Sequence, residues 1–215
     1  MDNEKLSGAE LARLVQSAFQ PGPHDKALAI IVDLPDEQEP DNPAWAERRV
    51  MAAGWAQALA GEAQALNGMA VHLFLYRNAH GNNADLPAEA YLHAGGALPD
   101  TFEALPADAQ PTPFAELLAA HTIVLAPTHH SATAPLKVAA RSGTFRAATM
   151  PGFSAAMIPA LRIDYAEVNR RVDLCAGLLT EAEGASFTFQ VDGEREHELF
   201  LDLRHRPAHA SGGMF

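Results

Sequence analysis

The apolar run ALAIIV at residues 27–32 constrains the fold more than any other feature of the chain. It is short, rich in β-branched residues and closed by Asp33, Leu34 and Pro35. A run without alternation is typical of a strand that is buried on both faces, as in a parallel sheet covered by helices on each side. This segment therefore predicts an α/β domain.

The following segments repeat that arrangement. A helical pattern starts at Pro43 and continues to about residue 65, and a second apolar run, AVHLFLY, occupies residues 70–76. Strand, helix and strand in this order predict a βαβ unit with parallel strands. We also expect a helix at 6–19, further strands at 122–126 and 145–150, and further helices at 114–121, 134–141 and 164–182. Residues 78–113 are less regular, and we expect them to wrap the sheet edge with a short helix near 88–93.

The hydrophobic period changes near residue 184. Residues 186–191 alternate between apolar and polar, Asp192-Gly193 is a hairpin turn signal, and the run to Leu203 alternates again. The predicted fold class is therefore α/β: residues 1–183 form a Rossmann-like, mostly parallel sheet flanked by helices. Residues 184–215 are expected to form the first β-hairpin of a second, β-rich domain that continues beyond Phe215, because one hairpin cannot bury its own faces.

Composition excludes several classes of partner. The 15 Lys and Arg against 27 Asp and Glu give a net charge of -12, which argues against nucleic acid and anionic membrane surfaces. Without an apolar run of about 20 residues or a signal-peptide pattern, we expect a cytoplasmic protein. Cys175 is the single cysteine, so no intrachain disulfide can form. Its helical spacing predicts a buried structural thiol, and a nucleophile is the alternative.

No sequence-local catalytic signature is present. The chain has no His-Glu-x-x-His, no P-loop and no Gly-x-Ser-x-Gly element. The first strand is followed by Asp33 and Asp36, where a dinucleotide-binding turn would carry glycines. Catalytic residues therefore stay unknown from the sequence, and no nucleotide cofactor is predicted.

Two histidine pairs are candidate ligands. His129 and His130 follow the third buried strand, at the edge where doubly wound sheets bind ligands. Together with Ser131 and Thr133 they are candidates for binding an anionic group or a metal. Adjacent side chains usually diverge, however, so a polar loop is the favoured interpretation.

The second pair, His205 and His209, has the spacing of a helical metal pair. Pro207 lies between them, which argues against a helix, and no third ligand is evident. No metal ligand is therefore assigned from the sequence. His121 is expected to cap the end of a helix, where an imidazole interacts with free carbonyl groups.

Other side chains receive structural interpretations. The predicted hairpin carries apolar residues at strand spacing, interpreted as the core of a larger sheet, with an aromatic binding surface as the alternative: Phe187, Phe189, Leu199 and Phe200. Three scattered cations are interpreted as a solvated face: Lys137, Arg141 and Arg146.

Segments from Thr122 onward resemble a known enzyme family. The stretches TIVLAP at 122–127, AARSGTFR at 139–146 and TMPGF at 149–153 resemble the thermophilic-type metalloaminopeptidases of the aminopeptidase T group. Asp164-Tyr165, an Arg-rich helix and the Asp192-Gly193 hairpin continue in the same order. The resemblance covers about the last two fifths of the chain, on short motifs of moderate specificity.

The resemblance implies a Rossmann-like first domain, a larger β-rich second domain with a two-metal site, and a homodimer. Divalent ions such as zinc or cobalt would lie in the second domain, held by ligands that begin at a Pro-Gly-Glu loop expected just beyond Phe215. None of those ligands matches a residue of this chain. The same architecture occurs in ring-cleaving dioxygenases that act on dihydroxypyridines with a single iron.

Three functions follow as expectations. The first is the N-terminal region of an aminopeptidase-like metalloenzyme, which removes N-terminal residues from peptides when complete and is not catalytic as these 215 residues. The second is a non-catalytic ligand-binding or assembly domain that uses the α/β cleft or the hairpin edge. The third is the iron-dependent dioxygenase branch. The expected partners are a peptide or small-molecule substrate of the full-length protein and a second copy of the chain.

Overall fold

The computed structural model describes residues 5–193 and 195–212, and the chain divides after Arg162 into two compact units. The first unit contains α1 (Gly8–Phe19), β1 (Ala27–Leu34), α2 (Pro43–Ala60), β2 (Ala70–Arg77), β3 (Glu89–Leu92), β4 (Pro111–Pro113), α3 (Phe114–Ala120), β5 (Ile123–Ala126), α4 (Thr133–Ala140) and β6 (Arg146–Thr149), with 3₁₀ turns at Phe102–Ala104 and Ala155–Arg162. The second unit contains α5 (Tyr165–Glu181), β7 (Gly184–Val191) and β8 (Arg195–Asp202).

The first unit is built on a six-stranded sheet with the order β4-β3-β2-β1-β5-β6. Strand β1 pairs in parallel with β2 and β5, and β5 pairs in parallel with β6. Strands β3 and β4 add antiparallel pairings at one edge. The predicted α/β fold with a mostly parallel sheet is therefore confirmed.

The short helix predicted near residues 88–93 is wrong. Glu89–Leu92 forms β3, in which Leu92 pairs with Phe74 and Tyr91 with Leu75 of β2. The open edge of β2 presents backbone N–H and C=O groups that need partners, and this tertiary demand outweighs the local preference of a short segment.

Strand β1 is buried along its whole length, as its sequence predicts. Its even-numbered residues, such as Leu28 and Ile30, belong to the core on the side of α1 and α2. Its odd-numbered residues Ala29 and Ile31 belong to the opposite core with Leu117 of α3. Burying each large aliphatic side chain contributes about 1.5–3 kcal/mol, so β1 anchors the sheet.

Helix α2 begins where its sequence signals place it. The Asn42 side chain accepts a hydrogen bond from the Trp45 N–H at 3.0 Å, and Pro43 occupies the first turn. Trp45 and Arg48 are one helical turn apart and both are buried. The start of α2 thus presents an indole and a guanidinium next to the end of β1.

In the second unit, the predicted last helix and hairpin are confirmed. Asp164 caps α5 by accepting hydrogen bonds from the N–H groups of Ala166 and Glu167. Asp192 and Gly193 both have positive φ, at 55° and 74°, in the turn between β7 and β8, whose pairing extends to Val191 and Arg195. The division between the two units falls after Arg162 in the chain, which places α5 in the same unit as the hairpin. The predicted domain boundary lies near Glu183.

The prediction of a buried Cys175 is wrong, because this thiol is exposed on α5. None of the residues of α5 is buried, and its apolar side chains Leu174, Leu178 and Leu179 remain exposed as well. The predicted helix is confirmed, but the described residues do not provide a surface that covers its apolar side chains. No helix in the described part of the chain is long and apolar enough to cross a membrane.

Candidate ligand site at the carboxyl edge of the sheet

The central strand β1 lies between β2, which follows it in sequence, and β5, which comes later. The loops that leave β1 and β5 therefore turn to opposite sides of the sheet. Doubly wound domains with this arrangement bind ligands at the carboxyl ends of the strands. Polar side chains from the loops after β1, β2 and β5 lie at this edge.

Asp33 joins β1 to the loop that follows β5. Its fully buried carboxylate accepts hydrogen bonds from the backbone N–H of His129 at 2.7 Å and of His130 at 2.9 Å. Burial raises the pKa of Asp33, and the two N–H groups oppose that rise. The carboxylate thus fixes the backbone position of both histidines.

The two histidine rings converge on Trp45, so the expected divergence of these adjacent side chains is wrong. The His129 ring stacks on the indole at 4.1 Å with an interplanar angle of 13°, and the His130 ring meets it edge-on at 5.9 Å. The indole N–H donates to the backbone carbonyl of Asp33 at 3.0 Å. Both rings gain contact area and a favourable aromatic geometry by turning to the same side.

Arg48 fixes which nitrogen of the His129 ring carries the lone pair. Its Nε donates to the carbonyl of Phe153 at 3.0 Å, and its Nη1 lies 3.2 Å from His129 Nδ1. A guanidinium has only donors, so Nδ1 accepts and carries a lone pair. Desolvation lowers the pKa of His129, against the opposing influence of Asp33, and thereby favours the neutral ring.

Glu39 completes a group of three ligand-type side chains. Its Oε2 lies 2.8 Å from His130 Nε2, and one ligand atom each of Glu39, His129 and His130 lies within 4.8 Å of the other two. Two imidazoles and one carboxylate are a donor set that Zn²⁺ takes in proteins. The sequence did not lead to a prediction of Glu39 as a ligand. Its position in the acidic loop directly after the first buried strand was the one feature that could have indicated it.

Asp36 shapes the loop that carries Glu39. Its Oδ1 accepts the N–H groups of Gln38 and Glu39, each at 3.0 Å, whereas its buried Oδ2 has no hydrogen-bond partner. His80 Nε2 and Arg77 Nη1 approach Oδ2 to 3.1 and 3.5 Å. Burial acts to raise the pKa of Asp36, but the two N–H groups and the charges of His80 and Arg77 bring it below its ordinary value.

His80 reaches this cluster from the loop after β2. The buried Asn78 donates from Nδ2 to the Leu34 carbonyl at 2.9 Å and accepts the His80 N–H at 3.0 Å. His80 itself is in the left-handed region, with φ at 53°. Its Nδ1 lies 3.9 Å from Glu39 Oε2.

Ser131 and Thr133 are not part of the triad of ligand atoms. Ser131 Oγ donates to Asn83 Oδ1 and lies 3.0 Å from Thr133 Oγ1, which in turn lies 2.8 Å from Thr149 Oγ1. These hydroxyl groups hold the loop after β5 against neighbouring segments.

The other candidates lie elsewhere. His205 and His209 are exposed in the second unit, outside the one ligand cluster found among the described residues. His121 caps α3 as predicted, with its Nδ1 2.8 Å from the Leu117 carbonyl. The hairpin side chains interpreted as a sheet core are exposed in the described chain: Phe187, Phe189, Leu199 and Phe200.

Among the three cations expected on a solvated face, Lys137 and Arg141 are exposed. Arg146 differs, because its guanidinium contacts both carboxylate oxygens of the nearly buried Asp25, at 2.7 and 2.8 Å. The solvated-face interpretation is therefore wrong for Arg146, whose ion pair ties β6 to the segment before β1.

Comparison of this chain with models of protein families, with curated proteins and with solved structures found no match in any of the three.

Proposed function

We propose that this chain is a ligand-binding α/β domain that takes one divalent transition-metal ion, with Zn²⁺ as the expected ion. The observation that carries the proposal is the convergence of Glu39, His129 and His130, whose ligand atoms lie within 4.8 Å of one another. The Glu39 carboxylate favours a cation over the anionic group that the two histidines alone leave open. The position at the carboxyl edge of the sheet also supports a ligand site.

The donor chemistry fits zinc better than calcium or magnesium. Zn²⁺ binds imidazole nitrogen and carboxylate oxygen at about 2.0–2.2 Å, whereas the harder ions prefer oxygen donors alone. Tetrahedral ligands at that radius are about 3.3 Å apart. The ligand atoms of the triad lie within 4.8 Å of one another, so small side-chain rotations suffice to bring them to this separation around an ion.

Two residues outside the triad, Asp33 and Trp45, support its orientation. Asp33 holds the backbone of both histidines, and Trp45 packs against both rings. The His130 to Glu39 contact at 2.8 Å gives way when both groups ligate a cation. The lone pair of His129 Nδ1 accepts from Arg48 at 3.2 Å, so an ion that takes this lone pair has to displace the guanidinium.

A calorimetric titration of the metal-free protein with Zn²⁺ tests the proposal. We expect one ion per chain in the wild type, and a loss of affinity of at least about tenfold in His130→Ala and in Glu39→Gln, because each removes a direct ligand and the loss of an outer-shell partner already has an effect of that size. His24→Ala is the matched control, since His24 is exposed in the loop before β1. Absence of binding by the wild type, or equal losses in the control, would contradict the proposal.

Removal of N-terminal residues from peptides is the second candidate function. It is supported by the order of elements, an α/β unit followed by a helix and an antiparallel hairpin, which is the order in the family that the chain resembles. In this proposal the α/β unit shapes the substrate cleft and the subunit contact of a larger metalloenzyme. Release of the amino acid from aminoacyl amides by that larger protein, assayed with added zinc or cobalt, tests it, and iron-dependent ring cleavage of a dihydroxypyridine would point to the dioxygenase branch.

A further inference from the structure

We propose that His80 is a fourth protein ligand of this metal ion, through Nδ1, and that Asp36 orients the His80 ring. The inference rests on the proposed function, because it concerns the same ion. It goes further by assigning a closed coordination shell and by naming the residue that holds the closing ligand.

The first argument is the position of the His80 ring. Glu39 Oε2 lies between two imidazoles, 2.8 Å from His130 Nε2 and 3.9 Å from His80 Nδ1. His80 lies outside the group of ligand atoms that are all within 4.8 Å of one another, so its ring has to turn toward an ion held by Glu39 and His130 in order to bind it. The ligands then come from the three loops that follow β1, β2 and β5, which all open onto the same edge of the sheet.

The second argument is the orphaned oxygen of Asp36. Its Oδ2 is buried without a hydrogen bond, although His80 Nε2 lies only 3.1 Å away. A buried carboxylate oxygen without a donor is costly, so an unpartnered one requires an explanation. Metal-bound histidines usually donate their second ring N–H to a carboxylate, which fixes the tautomer and the ring orientation. A small rotation of the His80 ring toward the ion supplies that N–H to Asp36.

The nearby Arg77 does not supply the hydrogen bond that Asp36 Oδ2 lacks. Arg77 Nη1 lies 3.5 Å from Asp36 Oδ2, beyond hydrogen-bond distance for a well-formed pair, and the guanidinium contacts Glu103 Oε1 at 3.0 Å. The Arg77 side chain is also 43% exposed, whereas that of Asp36 is fully buried. Arg77 thus stabilises the charge of Asp36 and leaves the donor position open for His80.

Four protein ligands leave no open position on a tetrahedral ion. Such a shell is typical of structural zinc sites, whereas catalytic sites keep one position for water. The inferred metal therefore links the loops after β1, β2 and β5 and does not activate a water molecule. This consequence separates the site from a hydrolytic centre.

Absorption spectroscopy with Co²⁺ alone as the probe tests the inference on the intact chain. The wild type is expected to give the intense visible bands of a four-coordinate ion. His80→Asn keeps a residue that tolerates the left-handed backbone of this position. It is expected to bind one Co²⁺ about ten- to a hundredfold more weakly, with weaker bands because water enters the shell. Asp36→Asn is expected to weaken binding in the same direction, and His24→Ala is the control.

The outcomes separate the two proposals. If the wild type binds no Co²⁺ or Zn²⁺, the proposed function fails, and the His80 inference fails with it. If the wild type and His80→Asn bind Co²⁺ with equal affinity and identical spectra, the three-ligand site stands and the fourth ligand is overturned.

Asp36 also shapes the turn before Glu39, so the circular dichroism spectrum of Asp36→Asn is first compared with that of the wild type. If Asp36→Asn does not fold, the result for His80→Asn decides the question.

Discussion

The imidazole of His121 is locked in one tautomer by its two neighbours. Its Nδ1 donates to the Leu117 carbonyl at 2.8 Å, so its Nε2 must accept from His72 Nδ1, also at 2.8 Å. Phe74 packs edge-on against the ring at 5.3 Å. Desolvation lowers the pKa of His121, assisted by His72 and opposed by the contact with Leu117. Protonation would turn Nε2 into a donor, so His72 would have to move its proton to its other ring nitrogen in order to accept it.

This pair predicts a pH dependence of stability. The pKa of His121 is lower in the folded chain than the ordinary value of 6.5, so its contribution is complete above pH 6.5 and is lost as the pH falls through the lowered pKa. In His121→Gln we expect a loss of about 1–3 kcal/mol at pH 8 and a smaller difference from the wild type at pH 5. Urea denaturation at the two pH values measures this.

The control for that experiment is His24→Ala, which changes an exposed imidazole. It is expected to follow the wild-type curve at both pH values. A His121→Gln difference that stays constant between pH 8 and pH 5 would show that the lowered pKa does not contribute.

Among the helices and strands, α4 shows how one element depends on a distant loop. Its N-cap residue Ala132 offers no side-chain cap. Asn83, from the loop after β2, instead accepts the Ala134 N–H at 3.0 Å and the Ser131 hydroxyl at 3.0 Å. Asn83 also adopts a left-handed backbone, with φ at 61°. One side chain thus caps α4 from outside the helix.

Two substitutions at this position separate the cap from the backbone strain. Asn83→Ala removes the cap and places a non-glycine residue without a polar side chain in the left-handed region, so we expect a loss of about 1.5–3 kcal/mol. Asn83→Gly removes the cap but tolerates the backbone, so about 0.5–1.5 kcal/mol is expected. The free energy of unfolding in urea measures both, and equal losses would show that the backbone conformation contributes nothing.

At the scale of the whole molecule, the two compact units differ in how they bury apolar surface. The first has a filled core on each face of its sheet, whereas α5 in the second has no buried residue. The hairpin exposes Phe187 at 44% and its cross-strand partner Leu199 at 46%, and α5 exposes Leu178 at 72%. Large exposed apolar patches mark interaction surfaces in soluble proteins. We propose a second copy of the chain as the partner, because an unpaired hairpin edge is also open to strand addition.

The proposed homodimer predicts a clear effect of charge on this surface. The double variant Phe187→Lys, Leu199→Lys, on one face of the hairpin, is expected to raise the dimer dissociation constant at least about a hundredfold, because two charges would have to be buried without partners. Sedimentation velocity over a concentration series measures the mass. Val138→Lys, at a 61% exposed position on α4, is the matched control and is expected to dimerise like the wild type. A monomeric wild type at all concentrations would contradict the proposal.

The local pattern of the sequence by itself determined most of the elements. The sequence predicts β1 from its unbroken apolar run, the start of α2 from Asn42 and Pro43, and the hairpin turn from Asp192-Gly193. These predictions succeed because backbone preference and burial periodicity depend on residues near one another in the chain. The position of His129 and His130 at the end of a parallel strand was readable for the same reason.

Only the tertiary structure decided which of these residues meet. Glu39 approaches both His130 and His80 because three loops leave the same edge of the sheet, and the convergence of both rings on Trp45 depends on where α2 packs. Strand β3 and the exposure of Cys175 likewise depend on which surfaces find a neighbour. Such contacts join residues far apart in the chain, and no local period in the sequence encodes them.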